Sequence, residues 1–178
     1  MRIALACDHN GVALKASISA LLTRLGHEPK DLGAHEGDGE VDYPPLCAGL
    51  CRQVVDGDVA LGIVLGGSGL GETVACNKIR GIRAGLCHDT WSAGISRGHN
   101  DANVLVLAAK VLGEEAAAEI VEAWLATPFK GGVHRRRLDQ IAELERAEVE
   151  RAELAAAAEA AAALDPAEAA KPAATAHE

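Results

Sequence analysis

Six residues, Gly66-Gly67-Ser68-Gly69-Leu70-Gly71, run straight into Glu72 between a buried strand-like stretch, Val59 to Leu65, and a helical pattern. A glycine-rich strand-to-helix turn lets backbone N–H groups point into a common cavity, where they stabilise negative charge. A carboxylate at the mouth of such a cavity can remove a proton while the N–H groups hold the enediolate oxygen that develops. A plainer reading of Glu72 stays equally open: an acid in the first turn, worth about 0.3–1 kcal/mol against the helix dipole. Gly66 and Gly71 have the spacing of the two glycines of a nucleotide P-loop, but Glu72 and Thr73 follow where Lys and Ser/Thr are required. A carboxylate there repels a polyphosphate. The glycine order also departs from G-x-G-x-x-G, and the loop follows the third strand, so a dinucleotide site has little support.

Two further clusters carry candidate chemistry. His99-Asn100 lies at the end of a predicted helix in SRGHNDANVLVL, where a histidine either moves a proton to open a sugar ring or serves as a solvated cap. Gly131-Gly132-Val133-His134-Arg135-Arg136-Arg137 puts cations at a helix start, an unfavourable place unless an anion compensates. A bound phosphate would do so; a solvated charge run against an acidic protein is the alternative.

These groups must be positioned by an alternation of short apolar runs with helical patterns. Strands are expected at Arg2 to Cys7, Pro29 to Leu32, Val59 to Leu65, Arg83 to Cys87 and Asn103 to Ala108. Helices are expected from Val12 to Leu25, after Tyr43-Pro44-Pro45, from Glu72 to Lys78, Thr90 to Arg97 and Glu114 to Ala126. Such alternation predicts an α/β fold, a doubly wound five-stranded parallel sheet between helix layers, with ligands outside the carboxyl ends of the strands. Polar residues collect at three such ends: Asp8-His9-Asn10-Gly11, Gly66 to Glu72, and Cys87-His88-Asp89. A long last helix begins near His134, and residues 1–150 are expected to form the domain. Residues 151–178 read as an Ala/Glu-rich helical extension and a tail, disordered beyond Asp165-Pro166.

Composition narrows the function classes. The chain is 49% hydrophobic but 2% aromatic, as suits a Val/Ile/Leu/Ala core under helices. A net charge of −9 excludes broad neutralisation of nucleic-acid phosphates. No apolar run is long enough to span a bilayer, so no membrane partner is expected. The five cysteines, Cys7, Cys47, Cys51, Cys76 and Cys87, form no C-x-x-C pair and read as reduced, buried thiols of a cytoplasmic protein.

Taken together, CDHNG after the first strand, Asp42-Tyr43-Pro44, GGSGLGE, NKIRGIRAG, SRGHNDANVLVL and GGVHRRR resemble the ribose-5-phosphate isomerase type B family, which includes galactose-6-phosphate isomerase subunits. The resemblance spans about Met1 to Arg146. It implies a Rossmann-like subunit, a homodimer with active sites at the interface, and interconversion of ribose 5-phosphate and ribulose 5-phosphate with no cofactor and no metal. It assigns the sugar and phosphate ends of the substrate to Asp8 and His9, a pocket wall to Tyr43, ring opening to His99, enediolate stabilisation to Asn100, and phosphate binding to Arg137. Lys110 stands where the family often has Arg. Many members carry a cysteine base at the position of Gly66; a second branch has GGSGNGE and uses the glutamate. This chain resembles the second, which assigns the base to Glu72 and the anion hole to Gly67, Gly69 and Gly71, with Ser68 assisting. Leu70 replaces that branch's Asn, and Val133 stands where many members have a phosphate-binding Arg. Rival readings are isomerisation of a hexose or tetrose phosphate, and a sugar-phosphate binding protein without catalysis.

Overall fold

A computed structural model describes residues 1–164. Five strands, β1 (Arg2–Cys7), β2 (Glu28–Asp31), β3 (Leu61–Gly66), β4 (Ala84–Leu86) and β5 (Val104–Ala108), form one sheet in the order β2-β1-β3-β5-β4. Every pairing is parallel. Each strand but the last is followed by a crossover helix: α1 (Val12–Arg24), α2 (Tyr43–Val55), α3 (Leu70–Cys76) and α4 (Thr90–Asn100); α5 (Glu114–Ala126) and α6 (Val133–Leu164) come after β5.

The central strands are apolar on both faces because both are covered. Ile3, Leu5, Ile63, Leu65, Leu105 and Leu107 face α1 and α5 with Trp124. The other face carries the smaller Ala4, Ala6 and Val64 against α2 and α3. There Gly62 admits Leu50 so closely that a Cβ on Gly62 would lie 2.4 Å from its Cδ2. All five cysteines are buried and free. Burial pushes the Cys7 thiol up to about 11 and Cys87 upward as well. Contacts with Cys47 and Cys51, together with burial, push Cys76 up.

Helix ends follow local chemistry. Pro44 sits in the first turn of α2, where its missing N–H costs nothing. Asp89 and Ser92 form a capping box at the start of α4, and the Ser92 N–H bond at 2.6 Å holds the Asp89 carboxyl below the usual range. That spends one of the three polar strand ends on folding. Helix α3 starts at Leu70, two residues before the expected Glu72, because Gly69 turns the chain left-handed at φ +73° and its carbonyl accepts Thr73 N–H at 3.0 Å. Helix α4 continues three residues past Arg97 to Asn100, ended by Asp101 at φ 45°.

The chain divides after Arg135 into two units, the first holding the sheet and α1 to α5, the second beginning at Arg136 within α6. The expected boundary at residue 150 falls inside α6. The expected disorder past Asp165 lies outside the described residues. Among the described residues no helix is long and apolar enough to cross a membrane.

Candidate active site

The chain leaves β1 for β2 on one side of the sheet and returns to β3 on the other. The crevice outside the carboxyl ends of β1 and β3 is therefore the place where two connections diverge and a ligand has room. Asp8 N–H donates to Leu65 O at 3.3 Å across this point.

Asp8 is buried, and its two carboxylate oxygens accept Asn10 N–H at 2.8 Å and Asn10 Nδ2 at 2.9 Å. Asn10 thus holds the turn that presents His9. Val41 N–H donates to His9 Nδ1 at 3.3 Å. Asn10 Nδ2, which gives one N–H to Asp8, also lies 3.1 Å from His9 Nε2. A groove of about 500 Å³ continues from His9 and Asn10 past Val12, Ala13 and Gly37.

The glycine loop sits beside this turn. Ala109 N–H and Lys110 N–H donate to the carbonyls of Gly66 and Gly67 at 2.8 and 3.0 Å, pinning the loop to the end of β5. The N–H groups of Gly67, Ser68 and Gly69 donate to no group among the described residues. A Cβ on Gly67 would lie 3.4 Å from Asn10 Nδ2 and 3.5 Å from Lys110 Cδ, so three strand ends converge on it. A Cβ on Gly71 would lie 2.6 Å from the Tyr43 hydroxyl, which places that ring against the loop. Ser68 is exposed, and its Oγ accepts Leu70 N–H at 3.3 Å.

Glu72 is 4% exposed and has no hydrogen-bond or ion-pair partner among the described residues. Its carboxylate folds back under the end of β3. A Cβ built on Gly66 would lie 1.8 Å from Oε1 and 2.1 Å from Cδ, so the carboxylate fills the space of a side chain at position 66. The plainer reading of Glu72 as a first-turn acid that serves the helix dipole does not require so covered a position.

The expected residues therefore fall into separate groups. Asp8, His9, Tyr43, Gly67, Ser68, Gly69, Gly71, Glu72 and Lys110 gather at the carboxyl ends of the strands. His99 and Asn100 close α4, which runs from the carboxyl end of β4 back to the amino end of β5. At 1.5 Å per residue that helix spans about 16 Å, so one chain carries His99 to the opposite edge of its own sheet. There the His99 ring stacks on His134 with centroids 4.0 Å apart, and Lys130 Nζ lies 3.2 Å from Nε2. Asn100 O accepts Arg83 Nε at 2.9 Å. Arg137 belongs to the second unit. Asn10 and Lys130 are the residues that sequence reasoning passed over; Asn10 was visible inside CDHNG, whereas nothing marked Lys130. Among the described residues no three His, Cys, Asp or Glu side chains group as metal ligands.

The Ribose/Galactose Isomerase family profile matches residues 3–141. The chain is 41% identical over 145 residues to ribose-5-phosphate isomerase B of Escherichia coli, covering 82% of this chain and 97% of that protein. It is 43% identical over 148 residues to ribose-5-phosphate isomerase B of Mycolicibacterium paratuberculosis (82% and 92% covered). It is also 41% identical over 145 residues to a protein of Bacillus subtilis described as a putative sugar phosphate isomerase, YwlF (82% and 97% covered). The solved ribose-5-phosphate isomerase B of Clostridium thermocellum superposes with a TM-score of 0.81 at 40% identity, covering 83% of this chain and 99% of that one.

Proposed function

The chain belongs to the Ribose/Galactose Isomerase family, and on that footing we propose that it interconverts ribose 5-phosphate and ribulose 5-phosphate, with Glu72 as the base. Its class, a sugar-phosphate isomerase, is that of its relatives. The observation that carries the finer reading is the Glu72 carboxylate lying in the volume of a residue-66 side chain. The resemblance puts a cysteine base at that position in many members. A carboxylate in the same volume is a base in the same place.

In this reading the Glu72 carboxylate removes the C2 proton of the open-chain aldose. The electron pair moves into the C1–C2 bond and leaves negative charge on the C1 oxygen, where N–H groups of Gly67, Gly69 and Gly71 hold it, with Ser68 assisting. A proton then passes from the C2 hydroxyl to the C1 oxygen, and as the protonated Glu72 returns its proton to C1 the C2 carbonyl forms, giving the ketose. Asp8 and Tyr43 position the sugar, and His9 and Lys110 anchor the phosphate, a role the resemblance also gives to Arg137.

Ring opening falls to His99 and enediolate support to Asn100, and both must come from a second copy. The course of α4 supports this: the helix carries His99 to the far edge of its own sheet, away from its own glycine loop. The proposed assembly is a homodimer in which His99 of one copy faces Glu72 of the other.

Replacing Glu72 by Gln is expected to reduce turnover of ribose 5-phosphate to background while calorimetry still detects substrate binding. Retained turnover would remove Glu72 as base. Val133, 45% exposed and uncharged, favours a second reading in which the preferred substrate is a hexose 6-phosphate or a tetrose phosphate. Ranking kcat/KM on ribose, allose and galactose phosphates, with a chelator present, decides between them.

A further inference from the structure

Val133 leaves a site for a phosphate without the cation that the resemblance puts there, and the turn three residues earlier supplies another. Lys130 N–H donates to Gly98 O at 2.9 Å, which ties the turn to the last turn of α4. Gly131 and Gly132 follow with φ of +67° and +56°, left-handed steps that an L side chain would resist. They bring the chain back so that His134 stacks on His99. The result sets Lys130 Nζ 3.2 Å from His99 Nε2.

An ammonium group has three donors. One is aimed at His99, and no carboxylate among the described residues pairs with Lys130. Asp101, the acid that follows α4, is already taken up by Arg83, Arg97 and Arg135 at 3.3, 2.9 and 4.0 Å. Arg135 in turn lies over the Phe129 ring at 4.6 Å. Lys130, held beside His99 with no carboxylate paired to it among the described residues, is stabilised by an added anion.

We propose that Lys130 is a phosphate-binding residue of the isomerase site, supplying beside His99 the cation that Val133 does not. This rests on the reading of His99 as the group that opens the sugar ring. The ring oxygen and the phosphate ester oxygen of a pentose 5-phosphate are separated by two carbons. Groups a hydrogen-bond length apart therefore serve both: His99 the ring oxygen, Lys130 the phosphate.

The test uses the full chain, steady-state isomerisation of ribose 5-phosphate, and inhibition by inorganic phosphate. Lys130→Met is expected to raise KM and the phosphate inhibition constant together, each on the order of tenfold, with kcat within about threefold. Lys130→Arg should stay near wild type, and adding Val133→Arg to Lys130→Met should recover most of the lost affinity. An unchanged KM and phosphate inhibition in Lys130→Met, or a loss confined to kcat, overturns the assignment. If the wild-type chain does not turn over ribose 5-phosphate, the reading of the reaction fails, and titration of inorganic phosphate into wild type and Lys130→Met still decides on Lys130.

Discussion

Replacing Gly66 by Ala should cut turnover on the order of a hundredfold while leaving the fold intact. The new methyl would lie 1.8 Å from Glu72 Oε1 and 2.1 Å from Cδ, where ordinary contact begins at 3.4 Å. The carboxylate must therefore retreat by at least about 1.6 Å. Gly66 is not left-handed and pairs with Ala108 at the end of β3, so the main chain can accept alanine. What yields is the tip of a flexible side chain, and the stability cost should stay near 1 kcal/mol, a shift in Tm of about 2–4 °C for a chain of this size. Catalysis is less forgiving, because a displacement of about 1 Å at a reacting group can cost ~100-fold. The assay is kcat for ribose 5-phosphate alongside a thermal melt. A combined Gly66→Ala, Glu72→Gln variant should be no slower than Glu72→Gln alone, since both changes act through one group. If Gly66→Ala keeps kcat within threefold, the carboxylate does not work from the position it occupies here.

Other consequences can be checked with the same protein. Two inactive chains, Glu72→Gln and His99→Ala, should restore about a quarter of wild-type activity when refolded together, because half of a random mixture is heterodimer with one complete site of two; no recovery would place both groups in one chain. The Cys7 thiol, raised by burial from 9.0 to about 11, keeps its proton in the folded chain after the unfolded chain has lost it. Its share of the stability should thus fall by about 2–3 kcal/mol as pH rises from 9 to 11, and Cys7→Ala should remove that share from a pH series of urea melts, leaving those of Cys76 and Cys87.

The sheet was legible because parallel strands covered on both faces must be continuous apolar runs: RIALAC and VALGIVL can be little else. Element ends were less so. The start of α3 depended on Gly69 adopting a left-handed turn, and four glycines in a run of six gave no sign of which one would. Glu72 illustrates the limit at the site. Its position after a glycine loop was visible, yet a first-turn acid and a buried base have the same sequence signature. What separates them is the direction of one side chain, set by the absence of a Cβ six residues earlier. Lys130 lay beyond reach for a related reason: its distance to His99 depends on two left-handed glycines, and a lysine in a surface turn is ordinary.

The shared volume of Gly66 and Glu72 also constrains how such a chain can change over time. Adding a side chain at 66 while keeping the glutamate displaces the base; removing the glutamate while keeping the glycine leaves none. On the reading given above, neither step alone is an improvement, so the two positions are inherited as one character. A lineage holding one solution is separated from the other by a loss of fitness, and descent should keep the pair together even where the surrounding loop drifts, as Leu70 has.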